Sequence, residues 1–351
     1  MKINKLYKQL PPWLMPMDGD GNIILSSFLG LSRNIEGFLF TTKLSKEEKA
    51  RLTKFIKEKI LHELSTYQYK AISLEDLTDD EKSVLEERQL IPSKIKNCTN
   101  LDLLINQNET SSILINHHDH IRMKTVKSGL GLTQLWETLN HLDDELSQFF
   151  PFSYDKEFGF LTSHTSNVGT GLFCEVLMHL PAFVFTGKIN NKINELLDDN
   201  ILIKHFFTYS ELPLGNLYLI SNRQSIGMTE IELIDQVENC VKKLSLEEKS
   251  LREKVLESNK SDITDKTYRS LGILTNSYSM PLLEALALLS ILKFGFDQKI
   301  IQHIPSNLWN ELLIYCLPGH LQLKNDVAEN KLDIIRSQYL KSAINKFDNK
   351  N

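Results

Sequence analysis

The stretch FGFLTSHTSNVGTGLFCEVLMHLP, Phe158–Pro181, decides how this chain is read. A short apolar run (Phe158–Leu161) predicts one strand and a longer one (Phe173–Leu180) predicts another. Between them lies Gly169-Thr170-Gly171. Glycines at such a place let two backbones, or a backbone and a ligand, come close, because no Cβ stands in the way.

Working outward, Ser45 and Glu48 form a capping box. Leu52, Phe55, Ile56 and Ile60 then recur at helical spacing, which predicts an amphipathic helix of about five turns. Ser111–Met123 and Leu217–Ile220 read as strands, and Leu132–Leu146 as a helix carrying Trp136 and Leu139 on its apolar side. Thr229 with Glu232 caps a long charged helix that reaches about Lys254. Ser258–Asp265, polar and aperiodic, reads as a linker. After it strand alternation stops. Helical patterns fill Pro281–Phe294 (ending at Gly295), Ser306–Leu317 and Val327–Phe347. Strands mixed with helices, then helices alone, predict an α/β or α+β first part with a helical appendage.

With 351 residues the chain is long enough for two domains, expected over 1–260 and 261–351. A hydrophobic content of 41% and a charged content of 24% are those of an ordinary globular protein. The net charge of −5 gives no reason to expect nucleic acid or an anionic membrane as partner. Cys98, Cys174, Cys240 and Cys316 are scattered and form no CxxC pair, so packed, reduced thiols are expected. The basic N-terminus is broken by Pro11 and Pro12 before a signal-peptide core forms. No apolar run reaches the roughly 20 residues of a membrane span. The expected location is cytoplasmic.

Five segments then carry a resemblance: SSFLGLSRN (Ser26–Asn34), NHHDHIRM (Asn116–Met123), GFLTSHTSNVGTGLF (Gly159–Phe173), GNLYLISNRQSIGMTE (Gly215–Glu230) and DKTYRSLGILTNS (Asp265–Ser277). In this order they resemble the guanidino phosphotransferases, the family of arginine and creatine kinases, and most of all its bacterial protein-arginine kinases. The resemblance runs from about Ser26 to Ser337. It implies an α+β catalytic domain, a largely antiparallel sheet flanked by helices with nucleotide on one face, followed by an all-helical domain that binds phosphoarginine.

Moving a γ-phosphoryl group to a guanidinium needs arginine forks on the phosphates and a carboxylate to orient the guanidinium and take its proton. At the positions where the resemblance places phosphate-binding arginines, this chain has Phe28, Gly30 and Phe173. A fourth falls in KHFFTYSELPL (Lys204–Leu214), where Lys204 is the only cation. The fifth survives as Arg122. His118 stands at the catalytic glutamate, and Glu211 lies near the place of its companion. Ser27, Asp119, His120 and Arg33 match the family, Arg33 at a position that looks structural. His117, His118 and His120 suggest a metal site, yet no spacing supplies further ligands, so no metal is expected. His118 as a substitute base would lack the anionic hold of a carboxylate.

In the helical domain, Asp333 and Arg336 match two positions of the phosphoarginine pocket while Leu332 replaces an arginine. The same pair also reads as an exposed i,i+3 ion pair. The expectation is a degenerate protein-arginine-kinase-like protein, a pseudokinase that binds or regulates other proteins. No cofactor is expected. The alternative is an active phosphotransferase with a rebuilt site, using ATP and Mg²⁺. By resemblance the partners are proteins, among them an active arginine kinase or Clp-type protease components, and a homodimer is the expected assembly.

Overall fold

A computed structural model describes residues 9–16, 23–93, 95, 99–207, 209, 214–302, 304–305, 307–325 and 331–348. In chain order the elements are β1 (Ile24–Arg33), α1 (Lys46–Glu63), β2 (Lys70–Ser73), α2 (Asp79–Glu87), β3 (Asp102–Ile105), β4 (Ser111–Ile115) and β5 (Ile121–Ser128). There follow α3 (Leu132–Ser147), β6 (Tyr154–Asp155), β7 (Gly159–Phe160), β8 (Leu172–His179), α4 (Pro181–Phe185), α5 (Ile189–Asp198), β9 (Ile201–His205) and β10 (Leu217–Asn222). The last five helices are α6 (Glu230–Asn276), α7 (Leu282–Asp297), α8 (Leu308–Tyr315), α9 (Pro318–Asn325) and α10 (Leu332–Asp348).

Eight strands form one sheet in the order β2-β3-β4-β5-β1-β8-β10-β9, each pair antiparallel; β6 and β7 make a separate hairpin. The fold is α+β. Alternation along the strands sends Leu29, Leu31, Met123, Cys174 and Val176 to one face. There they pack with Leu52 and Ile56 of α1, Leu135 and Leu139 of α3, and Val237 and Val241 of α6. On the opposite face, Phe28, Val126 and Leu177 share a second core with Leu286 and Leu289 of α7, Trp309 and Leu312 of α8 and Ile344 of α10. β1, buried at every position, lies between the two cores.

Both predicted capping boxes, Ser45/Glu48 and Thr229/Glu232, are present. Several boundaries differ from expectation. Ser111–Met123 is not one strand: Asn116 takes a left-handed φ of 61° and its N–H donates to the His120 carbonyl, turning β4 back into β5. Ser258–Asp265 is not a linker. α6 runs through it with a kink at Asn259 (φ −137°, ψ 32°). The continuation is held by i,i+4 ion pairs, Asp262–Lys266 at 2.7 Å and Asp265–Arg269 at 2.6 Å, and by burial of Ile263 and Thr267. Gly295 does not end α7. It makes room for Thr267, whose Cγ2 would lie 2.3 Å from a Cβ there. Pro281 is the N-cap of α7, α8 spans only Leu308–Tyr315, and α10 starts at Leu332. Cys98, Glu211 and Ser306, together with residues 327–330 of the predicted last helix, lie outside the described residues.

The helical region is fastened to the first part by charge as well as by the shared core. The buried Glu87 carboxylate of α2 accepts N–H bonds from Gly319 (2.7 Å) and His320 (3.0 Å) at the start of α9 and meets His320 Nδ1 at 2.6 Å. An anion there satisfies N–H groups that a helix start leaves without intrahelical partners.

Candidate functional site

The central strands bring four of the sequence-predicted residues to one sheet face. In β1, Gly30 lies between Lys124 of β5 and Phe173 of β8, and Phe28 lies between Val126 and Glu175. Arg122 sits two residues before Lys124, so it shares that face, opposite Leu114 of β4. Where the C-terminal helices stop covering the face, a cleft of about 240 Å³ remains. Its lining includes Arg122, Lys124, Glu175, Lys204 and Phe206.

Phe173 lies directly over Gly30. A Cβ on residue 30 would sit 1.9 Å from Phe173 Cζ and 2.5 Å from the Met123 carbonyl oxygen. The ring fills the space that a side chain at position 30 would need. The Arg122 guanidinium lies over that ring, 4.2 Å from its centroid. Burial pulls the Arg122 pKa down, and Glu175 and Asp119 oppose the shift. Phe28 is buried against Trp13, ring centroids 6.0 Å apart. The Lys124 ammonium lies 4.7 Å from the Phe28 ring centroid and donates to the Gln89 carbonyl at 2.9 Å. Burial lowers its pKa to about 8, against the pull of Glu175.

Ser27 belongs elsewhere. Its Oγ donates to the Gly129 carbonyl (2.6 Å) and accepts from Gly131 N–H (3.1 Å), tying β1 to the start of α3 on the opposite face.

The β4–β5 turn carries the histidines. Asp119 is buried and its Oδ1 accepts from Asn34 Nδ2 (2.8 Å) and Ser163 N–H (2.7 Å). His120 accepts at Nδ1 from Ile35 N–H (3.0 Å), so its Nε2 carries the proton and donates to the Leu39 carbonyl (2.9 Å). Both residues therefore hold loops in place. His118 is exposed, its ring packed edge-on between those of His117 (4.0 Å) and His164 (4.4 Å). Burial first, then His118 and Arg122, pushes the His117 pKa down to about 3. Burial, His164 and Arg122 lower that of His118 as well. His118 is thus a neutral imidazole at pH 7. His118 and His120, two residues apart, lie in the turn between β4 and β5 and so do not share a strand face. Among the described residues, no group of three or more His, Cys, Asp or Glu side chains is arranged to hold a metal ion.

Arg33 is buried. It donates to Asp143 (Nη2, 2.6 Å; Nε, 3.2 Å) and to the carbonyls of Ser32 and Thr170, with its guanidinium 3.6 Å from the Phe160 ring centroid. Gly171 leaves it room, since a Cβ there would lie 2.6 Å from Arg33 Nη1. In the helical region the expectation of an exposed Asp333–Arg336 pair is corrected, because only the aspartate reaches solvent. Arg336 is 2% exposed, with Nε on the Cys316 carbonyl (2.8 Å) and Nη1 on the Met280 carbonyl (2.8 Å) and Asp333 (2.5 Å).

Comparison with known proteins now bears on this geometry. The sequence profile of the ATP:guanido phosphotransferase C-terminal catalytic domain matches residues 51–251, and that of the protein-arginine kinase McsB C-terminal domain matches 260–351. The chain is 31% identical to a protein-arginine kinase of Halothermothrix orenii over 97% of its own length and 98% of the relative's. It is 33% identical to a protein-arginine kinase of Geobacillus sp. (strain WCH70), covering 88% of this chain and 86% of that one. The chain belongs to the protein-arginine kinase family. The guanidino-kinase fold is also found in a lombricine kinase crystal structure (TM-score 0.57, 18% identity, 70% of each chain). It recurs in the duplicated taurocyamine kinase of Schistosoma mansoni with bound transition-state-analogue components (TM-score 0.60, 20% identity, 93% of this chain and 52% of that one).

Within this member of the family, the structure brings Phe28, Gly30, Arg122 and Phe173 together on the cleft face. His118, Asp119 and His120 sit on the adjoining turn, while Ser27 and Arg336 lie away from the cleft. Sequence reasoning missed Lys124 and Glu175. Each stands two residues from a predicted site residue, Lys124 after Arg122 and Glu175 after Phe173. Period-2 alternation was therefore the signal that could have found them.

Proposed function

We propose that this protein-arginine kinase relative has lost phosphoryl transfer and works as a binding or regulatory protein on other proteins. One observation carries the reading: the Phe173 ring occupies the space over Gly30 and takes the Arg122 guanidinium onto its own face. A triphosphate does not fit such a surface, since apolar rings stand where arginine forks would meet phosphate oxygens. His118, a neutral imidazole, stands where a carboxylate would orient a guanidinium. A charge-assisted contact is worth about 1.5–3 kcal/mol, so even two missing contacts weaken phosphate binding by roughly a hundredfold or more.

Because the relatives are named protein-arginine kinases, the partners proposed here are proteins: a second copy of the chain, an active kinase, or components of a Clp-type protease. The proposed setting is the cytoplasm; among the described residues, no helix is long and apolar enough to cross a membrane. Calorimetry with ATP·Mg²⁺ tests the reading. The expected dissociation constant is about millimolar or weaker, and a micromolar constant, or phosphorylation of protein arginine by the purified chain, overturns it.

A further inference from the structure

We infer that the joint between the β4–β5 turn and the segment following β7 is a pH-sensitive latch, shut at neutral pH and loosened in mild acid as like charge gathers on His117, His118 and His164. The latch is a contact between two loops and needs no ligand, so it stands whether or not phosphoryl transfer is lost. From the turn, the Asp119 carboxylate accepts the Ser163 N–H at 2.7 Å, and the His118 carbonyl accepts the Ser163 hydroxyl at 2.6 Å. From the segment, the His164 ring meets that of His118 edge-on, centroids 4.4 Å apart, and His117 lies 4.0 Å from His118 within the turn.

Three neutral imidazoles suit this arrangement, and three imidazoliums do not. His118 and His164 sit on opposite sides of the joint, so a proton on each places like charges where the two loops meet. Two charged groups of the described residues face the histidines of the turn: Arg122 of β5, a further cation, and Asp119, an anion. The segment after β1, which also packs here, contributes Asn34, bonded to Asp119 and to the Leu161 carbonyl, and Thr41, bonded to the His118 carbonyl. Both are uncharged. One carboxylate, already shared between Asn34 and Ser163, would then face four cations.

Burial adds a second reason. Among the described residues, Nδ1 of His117 is buried and has no hydrogen-bond partner. A proton there would be a buried donor without an acceptor. Burial, His118 and Arg122 pull the His117 pKa down to about 3, and burial, His164 and Arg122 lower that of His118 from 6.5. Both shifts have one sign. A histidine whose pKa is depressed in the closed joint binds protons more readily once the joint opens. The closed form is therefore favoured above about pH 6.5 and loses ground as pH falls below it. His118 and His164 are exposed, so protons reach them without unfolding of the chain.

The test is amide hydrogen exchange on the full chain at about pH 7.5 and about pH 5.5, corrected for intrinsic rates, with the imidazoles titrated by NMR. Expected are a loss of at least about fivefold in protection of the Ser163 amide at the lower pH, a His118 midpoint below 6.5, and a rise of that midpoint in His164→Gln. His118→Gln and His164→Gln each remove the pair across the joint, and each should cut the loss of protection to less than about twofold. Both side chains are exposed, so the variants are expected to fold, and either one alone decides the test. Protection that does not change with pH in the wild type, an equal loss in a folded variant, or a His118 midpoint at or above 6.5 overturns the inference. An equal loss at a core amide such as that of Leu29 marks general acid unfolding and overturns it too.

Discussion

Lys124→Met is expected to make the protein more stable at pH 7. The wild-type ammonium is held among Phe28, Arg122 and the Gln89 carbonyl, and burial moves its pKa from 10.5 to about 8. At about 1.4 kcal/mol per tenfold, that displacement corresponds to roughly 3 kcal/mol of cost for keeping the charge in the folded state. Partial exposure reduces the figure, and losing the hydrogen bond to Gln89 costs about 1 kcal/mol, so the net gain on substitution is about 1–2 kcal/mol. The pH dependence has a fixed sign. With the folded pKa depressed, the unfolded chain binds more protons between about pH 8 and 10.5, so wild-type stability from this group rises with pH through that window. The advantage of Lys124→Met should shrink over the same range. The groups facing the ammonium are Arg122 on its own strand, Glu175 on β8, and Lys204 and His205 on β9. Urea unfolding at pH 7, 8.5 and 10 reads both effects. A variant destabilised by more than about 1 kcal/mol at pH 7, or a gain independent of pH, would refute the reasoning.

Phe28→Arg with Phe173→Arg should tighten ATP binding by about ten- to a hundredfold in calorimetry. Gly30→Ala alone should lower stability by about 1–3 kcal/mol in urea, since its Cβ meets both Phe173 and the Met123 carbonyl. Glu87→Ala should cost about 3–5 kcal/mol by urea unfolding, because it strips the anion from His320 and leaves two α9 N–H groups without their acceptor. Arg336→Ala should destabilise by about 2–4 kcal/mol through the lost bonds to Cys316 and Met280, whatever its effect on phosphoarginine peptides. A fragment of residues 261–351 should fail to give a cooperative melt, because Leu286, Trp309 and Ile344 bury against Phe28, Val126 and Leu177 of the sheet.

Much of the fold was legible because strong local signals agree with tertiary packing. The capping boxes fixed two helix starts, and the Gly169–Gly171 segment sits where backbones meet: Gly159 would place a Cβ 2.6 Å from the Gly169 carbonyl oxygen. The signal failed where long-range burial decides. SNKSDITD looks like a linker because its polar residues face solvent, yet Ile263 and Thr267 supply a narrow buried stripe that a short window does not reveal. β1 was visible only as a motif, for a strand buried on both faces loses alternation. In the site, the identities of Phe28, Gly30, Arg122 and Phe173 were readable, but not that Phe173 covers Gly30. That contact joins residues far apart in sequence.

The matching residues outside the cleft show why the scaffold persists. Asp119 and His120 are tied by hydrogen bonds to Asn34, Ile35, Leu39 and Ser163, and Arg33 to Asp143 and two carbonyls. Removing any of them orphans buried polar groups at about 1–3 kcal/mol each, so stability alone is enough to retain them. Residues 28, 30 and 173 carry no such bonds. Phe28 and Phe173 bury apolar area on the sheet face where charged forks without phosphate would have to be desolvated. Rings on this face therefore favour stability over charged groups at the same positions. Lys124 runs against that trend. Its ammonium is retained at a folding cost, which Lys124→Met should relieve.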